Sequence, residues 1–321
     1  MPQSLASPRI AATPLPPLNP PPADPRIARS GLIYGLAAYT WWGLSPLYFK
    51  LLPGVPALVI LCHRFVWSVL LLAVLITAFR RWPQVRATLA DSRLLRWLLL
   101  TAALITCNWL VFIYAIETHR LVDASLGYFI NPLFTVVLGM VFLGERLTGA
   151  RWAAVALALG GLVYLAVAQG SGLPWIAVSL PVTFGFYSLI RKRTPVDPIT
   201  GLFVETAFLS PLALAYLAWA HTRPEAAGTP LNAAGTLAIL SLAGAVTTAP
   251  LIWFVAAARR LPMVTLGFLQ FLNPTLQFLT AVVLFGEPFA GAKLVAFALI
   301  WIAVAVFVAD LAWRANRARR A

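Results

Sequence analysis

Long apolar runs, each ended by a few polar or charged positions, set the rhythm of this chain from residue 31 to residue 311. The runs extend over roughly 18 to 25 residues, enough to cross a hydrocarbon core of ~30 Å at ~1.5 Å per residue. The pattern predicts ten helices, at 31–50, 56–79, 94–116, 122–144, 150–168, 173–191, 199–219, 233–257, 263–286 and 291–311. Pro56 and Pro198 take matching early positions in the second and seventh, where a missing N–H does little harm. Residues 1–29 differ: they hold nine of the 25 prolines and no apolar run. They read as a disordered tail rather than a cleaved signal peptide.

Within that rhythm the chain repeats itself. LGYFINPLFTVVLGMVFLGERLTGAR at 126–151 returns as LGFLQFLNPTLQFLTAVVLFGEPFAGAK at 266–293. Asn131-Pro132 matches Asn273-Pro274, and Glu145 matches Glu287, at an offset of 142 residues. The same offset relates Gly43 to Gly185, Lys50 to Lys192, Pro56 to Pro198 and Ser68 to Ser210. A period this long indicates two duplicated half-domains rather than a solenoid of small units.

Composition agrees with membrane insertion: 61% of the 321 residues are hydrophobic and 11% are charged, against about 25% charged in soluble domains. The net charge of +14 is better explained by loop arginines that orient helices than by a nucleic-acid partner, because no basic stripe interleaved with aromatics lies outside the apolar runs. With the N-terminus cytoplasmic, 19 of the 24 Lys and Arg fall on the cytoplasmic side, four on the other, and Arg64 within a span. Both termini are therefore expected in the cytoplasm. Five helices per half is an odd number, so the second copy enters the membrane from the opposite side. The fold class expected is an all-α integral membrane protein of ten transmembrane helices in two inverted-topology repeats. An in-plane pseudo-two-fold axis of this kind lets one set of contacts face either compartment, as many secondary transporters require.

Candidate chemistry is sparse. Pro132 and Pro274 sit within predicted spans as helix-break positions, each freeing a carbonyl four residues earlier, at Tyr128 and Gln270. Freed carbonyls at membrane depth must face protein, water or a solute. Tyr128, Asn131, Gln270 and Asn273 are thus candidates to line a midplane site, a kink satisfied by neighbouring helices being the plainer alternative. His63, Arg64 and Glu205 are the ionisable residues deep in spans, and His63 and Glu205 are counterparts at the 142 offset. They read either as proton-coupling groups or solute anchors, with Arg64 reaching Glu205, or as a buried ion network that fixes packing. Trp67, Trp109 and Trp253 lie deep enough to touch a solute, and Asn108 is expected to bond between helices. Glu145 and Glu287 follow glycines at helix ends, where a C-cap accounts for them. Cys62 and Cys107 have neither metal-ligand nor disulfide spacing. No cofactor or metal is expected.

At LAAYTWWGLSPLYFKLL (36–52), HRFVWS (63–68), NWLVFIYAI (108–116), ASLGYFINPL (124–133), VLGMVFLGERL (137–147), LIRK (189–192) and LGFLQF (266–271) the chain resembles the RarD group of the EamA branch of the drug/metabolite transporters. The resemblance implies two EamA repeats, at 30–169 and 170–312, a basic cytoplasmic tail at 313–321, a bacterial inner-membrane location and a permease often labelled as related to chloramphenicol resistance. The function expected is secondary-active movement, as exporter or permease, of small organic solutes, drugs or metabolites by alternating access, with proton coupling an open option. A channel that does not use ATP is the alternative, and an intramembrane enzyme a weaker one, since no H-E-x-x-H or G-x-S-x-G motif occurs. No ATP-binding G-x-x-x-x-G-K-[ST] loop occurs either. Partners are expected to be a small-molecule solute and the lipid bilayer, with a homodimer open and no nucleic acid.

Overall fold

The computed structural model describes residues 25–118, 121–168, 175–223, 234–280, 283 and 291–320. Their helices are α1 (Pro25–Phe49), α2 (Ala57–Ala78), α3 (Trp82–Ala90), α4 (Ser92–Glu117), α5 (Leu121–Leu143), α6 (Gly149–Ala168), α7 (Trp175–Arg193), α8 (Pro198–His221), α9 (Ala234–Ala258), α10 (Met263–Gln270), α11 (Leu272–Leu279) and α12 (Ala292–Arg320). Most of the tail expected at residues 1–29 and the Gly286-Glu287 motif lie outside the described residues. Among the described helices, six are long and apolar enough to cross a membrane: α2, α4, α6, α8, α9 and α12. They leave apolar side chains facing outward, among them Val74, Val167 and Leu212, at 64%, 75% and 72% exposure. A rim of that kind suits lipid and not water.

Local sequence explains most boundaries. Asp197 caps α8, its Oδ1 accepting from the amides of Ile199 and Thr200 at 3.1 Å each, and Pro198 fills the first helical position. Asp91 accepts from Arg93 at 2.9 Å and Leu94 at 3.1 Å and so starts α4. Several elements depart from expectation: α1 begins at Pro25, inside the stretch read as a disordered tail, and α12 continues to Arg320 through the expected basic tail. The stretch read as an arginine-rich loop contains α3, set off from α2 by a turn in which Arg80 takes φ 54°.

The proline positions behave differently in the two copies. α5 runs unbroken through Pro132, so the expected break there is a missing hydrogen bond inside a continuous helix. In the second copy the helix does break, at Phe271, whose amide turns back to the Phe268 carbonyl at 3.3 Å. Pro274 is consequently the third residue of α11, a first-turn position where its absent N–H costs little.

α5 packs on α7 and α10; α1 on α9 and α11; α2 on α8 and α9; α4 on α7; and α12 on α6. One buried cluster joins α5, α6, α10 and α12 through Phe129, Val136, Phe268 and Phe297, with Phe268 stacked on Phe307 at 4.0 Å between centroids. A second joins α1, α5, α7, α9 and α10 through Tyr39, Leu138, Tyr187, Phe254 and Met263. Close approach needs glycine where α5 meets α10: a Cβ at Gly267 would stand 2.7 Å from the Pro132 carbonyl oxygen.

Candidate functional site

The principal cavity, of about 760 Å³, lies among α1, α2, α4, α5, α7, α9, α10 and α11, with both helices of the repeated Asn-Pro motif contributing to its lining. It begins midway along the bundle at Gln270, Asn273 and Pro274 and reaches the α1–α2 turn at Leu52, Val55 and Ala57. Trp42, Phe49, Trp109, Phe112 and Phe184, with aliphatic neighbours such as Ile60 and Leu180, make its walls largely apolar. Arg64, Asn108, Tyr128, Asn131, Gln270 and Asn273 place polar groups among them. Six polar sequence-selected residues thus meet in one space, together with Trp109 and Pro274.

Each is held differently. Arg64 donates from Nε to the Thr247 hydroxyl at 2.8 Å, and its guanidinium lies over Trp109, 4.5 Å from the ring centroid. Asn108 spends its amide N–H groups on the Leu180 carbonyl and the Thr183 hydroxyl, both at 2.8 Å, tying α4 to α7 as expected for an intramembrane amide. Gln270 donates from Nε2 to the Thr135 hydroxyl at 3.2 Å, and that hydroxyl returns its proton to the Asn131 carbonyl at 2.9 Å. The amide oxygens of Asn131 and Asn273 are buried with no hydrogen-bond partner. Tyr128 stacks edge-on against Phe112 at 5.7 Å.

The other expected residues stand elsewhere. Glu205 does not reach Arg64 and does not line the cavity. It is buried with Arg191, whose Nε lies 3.5 Å from Oε1, at side-chain exposures of 0% for Arg191 and 3% for Glu205, and it accepts from the Thr101 hydroxyl at 2.6 Å. The physical reason is helix phase: α7 continues to Arg193 and turns Arg191 inward toward α8, where the sequence suggested a loop cation. His63 is half-buried outside the cavity lining, and its Nδ1 has no hydrogen-bond partner. Trp67 is also outside, its backbone pressed against Gly244, where a Cβ would come within 2.6 Å. Trp253 faces a second cavity of about 630 Å³ beside Arg81, Asp197 and Arg259, and meets Trp41 edge to face at 5.8 Å.

Away from the α1–α2 turn, around the α2–α3, α7–α8 and α9–α10 turns, the helices are cross-tied. Arg81 pairs with Asp197, and Arg193 donates to the Phe142 carbonyl. Lys192 donates to the carbonyls of Leu261 and, at 2.8 Å, Ala258. Arg259 donates to the Val196 carbonyl at 3.0 Å. Glu145 crosses from the end of α5 to the start of α10, accepting from the amides of Met263 at 2.6 Å and Val264 at 2.8 Å. The sequence reading made Glu145 a plain interfacial carboxylate; its distant partners carried no local signal. Arg191, Thr101 and Thr247 also escaped the sequence. A carboxylate deep in an apolar run demands a cation partner, and that was the one available clue to Arg191.

Comparison with known proteins follows the same lines. The model of the EamA-like transporter family matches residues 29–167. An uncharacterized transporter of Vibrio cholerae is 47% identical over 298 residues, covering 93% of this chain and 98% of its own. The protein RarD of Escherichia coli K12 is 44% identical over 294 residues, with 92% and 99% covered. A solved crystal structure shares the fold at a TM-score of 0.63 and 21% identity, covering 87% of this chain and 97% of the other. The chain is a multi-pass protein of the inner membrane, and its near full-length likeness to named transporters, together with an aromatic cavity inside a lipid-facing bundle, places it in the EamA-like transporter family as a RarD-type permease rather than an enzyme.

Proposed function

We propose that the protein is a secondary transporter of small organic solutes that works by alternating access, with its two halves as inverted copies about an axis in the membrane plane. The observation that carries the proposal is a solute-sized cavity, about 760 Å³, that reaches one end of the bundle while the other end is cross-tied. Pockets of ~300–1,000 Å³ are typical for small organic ligands.

Helix packing supports the inversion. Exchanging each helix for its counterpart at the 142 offset turns α5 on α7 into α10–α11 on α1, and α1 on α9 into α7 on α4. The pairs α2 with α8, α5 with α10 and α6 with α12 map onto themselves. All of these neighbours occur. The 19-to-4 division of basic residues favours cytoplasmic termini, which makes the cross-tied end the cytoplasmic one and the cavity outward-facing in this conformation.

The repeat also supplies the other half of the cycle. Glu145 and Lys192 tie the closed end, and their counterparts at the 142 offset are Glu287 and Lys50. Closure of the outer end would call on these two side chains in the same way. One set of ties is exchanged for the other as the solute crosses.

Reconstituted vesicles loaded with a bacterial metabolite extract, and read by mass spectrometry for solutes exchanged across the membrane, test the transport reading. Saturable uptake stimulated by solute on the far side is expected; conductance that rises without saturation would mean a channel. Impermeant thiol labelling of Arg146→Cys and Ala290→Cys in a background without Cys62 and Cys107 tests the inversion, which requires the two to react from opposite sides.

A further inference from the structure

We propose that the central cavity selects small organic anions, with a carboxylate, sulfonate or phosphate held by Arg64 and an aromatic or apolar body against Trp109, Phe112 and Trp42. The inference rests on the cavity being the transport site and adds the charge class of its cargo.

Arg64 is the one formally charged side chain among the described residues that line the cavity. No described carboxylate pairs with it, because all five with described side chains are occupied elsewhere. Glu205 serves Arg191 and Thr101, and Glu145 serves the amides of Met263 and Val264. Asp197 serves Arg81 and the start of α8, Asp310 serves Arg151 and Arg314, and Asp91 caps α4. A lone cation at membrane depth is costly unless water or a counter-ion reaches it.

The geometry leaves Arg64 ready for that counter-ion. A guanidinium has five N–H donors. One, on Nε, goes to Thr247. Among the described residues no acceptor meets the Nη1 and Nη2 groups of Arg64, and unlike those of Arg191 they are not among the sealed, unpartnered atoms. Stacking on Trp109 at 4.5 Å fixes the plane of the group and leaves its edge free for the two-pronged grip that arginine makes on carboxylate and phosphate. The aromatic walls suit the remainder of such a solute, whereas a cationic solute would meet Arg64 as a like charge.

The test uses purified full-length protein in detergent, with tryptophan fluorescence and thermal shift as readouts. Phenylacetate, phenyl phosphate and benzenesulfonate are compared with neutral 2-phenylethanol and cationic phenethylamine. At least one anion is expected to bind about 30-fold or more tightly than phenethylamine, with that preference lost in Arg64→Gln and partly kept in Arg64→Lys. Binding of none of the three anions, equal or tighter binding of phenethylamine, or an unchanged preference in a folded Arg64→Gln protein would overturn the proposal. The wild-type comparison stands even where Arg64→Gln fails to fold. Exchange of neutral or cationic solutes without anion preference would sink this inference alone. Anion binding without exchange in vesicles would instead sink the transport reading.

Discussion

Replacing Glu205 by Leu should cost far more than a surface change, and the structure says by how much. The carboxylate stands 3.5 Å from Arg191 Nε, with Arg191 at 0% side-chain exposure. Removing it strands a guanidinium in the protein interior, a loss of about 3–5 kcal/mol. The Thr101 hydroxyl loses its 2.6 Å acceptor on Glu205 but keeps the Leu98 carbonyl at 2.9 Å, so it adds little to that cost. Relief by movement is blocked, because the guanidinium lies directly against the Cα of Gly201, in the space a side chain would take. The folded population relative to unfolded should therefore fall by roughly a thousandfold for about 4 kcal/mol. Arg191→Met should cost a similar amount by stranding the carboxylate. The double variant Arg191→Met/Glu205→Leu buries neither charge and should return to within about 1 kcal/mol of the parent. Sodium dodecyl sulfate titration in mixed micelles, followed by far-ultraviolet dichroism, gives the three midpoints and the coupling between the sites. Singles that each cost under about 1 kcal/mol, or a double equal to their sum, would refute a buried mutually dependent pair. Retained transport with an unchanged pH profile in the double variant is also expected, since the pair lies outside the cavity; a lost pH response would return Glu205 to a coupling role.

Three further outcomes follow from contacts elsewhere. Gly267→Ala would drive a methyl to 2.7 Å from the Pro132 carbonyl oxygen and 2.9 Å from Val136, costing about 1–3 kcal/mol; Gly160→Ala, with nothing within 4 Å, is the matched control, and equal melting temperatures for the two would refute the tight crossing. Glu145→Gln keeps one acceptor of two but loses the charge at the start of α10, weakening the closed end by about 2 kcal/mol or roughly 30-fold in population. Labelling of Ala258→Cys, buried at that end, should rise accordingly, and a constant rate would exclude Glu145 as a tie. Asp310→Asn removes the charge that holds Arg151 at 2.9 Å and Arg314 at 3.0 Å, and should loosen α12 from α6 by about 1–3 kcal/mol, read as faster amide hydrogen exchange in both helices.

What the chain reveals before folding is what a one-dimensional period can encode. Apolar length marks some spanning helices to within a few residues, 56–79 against Ala57–Ala78 and 199–219 against Pro198–His221, while the last, expected at 291–311, continues to Arg320. The Asn-Pro repeat marked the cavity, because a proline inside an apolar run must free a carbonyl and neighbouring polar groups must answer it. Partners chosen across helices left no such trace. Nothing near Glu145 in sequence announces the amides 118 residues away, and the rotational phase of α7 at its last turn decides whether Arg191 is a loop cation or a buried one. The first-half proline also misled, since a single lost hydrogen bond in α5 is absorbed by packing against α7 and α10, while the equivalent helix breaks at Phe271 for reasons carried by its surroundings.

The same offset exposes where the two halves have stopped being copies. Glu205 corresponds to His63, Arg191 to Phe49 and Arg193 to Leu51. The ion pair and the arginine tie that fasten one end therefore have no chemical equivalent at the other, although the glutamate and lysine ties of the repeat do. On the proposed reading, closure at the end that carries these ties includes a buried charge pair, whereas closure at the other end would rely more on apolar and aromatic contacts such as Phe49. A carrier with equal halves would divide its time evenly between its two faces. On the alternating-access reading proposed above, cross-links that belong to one state alone would leave the empty protein resting with its cavity facing outward. Arg191→Met/Glu205→Leu removes that bias without stranding a charge, and should raise impermeant labelling of Ala258→Cys in the absence of any solute; labelling that stays at the parent rate would mean the two closures are balanced despite their unequal chemistry.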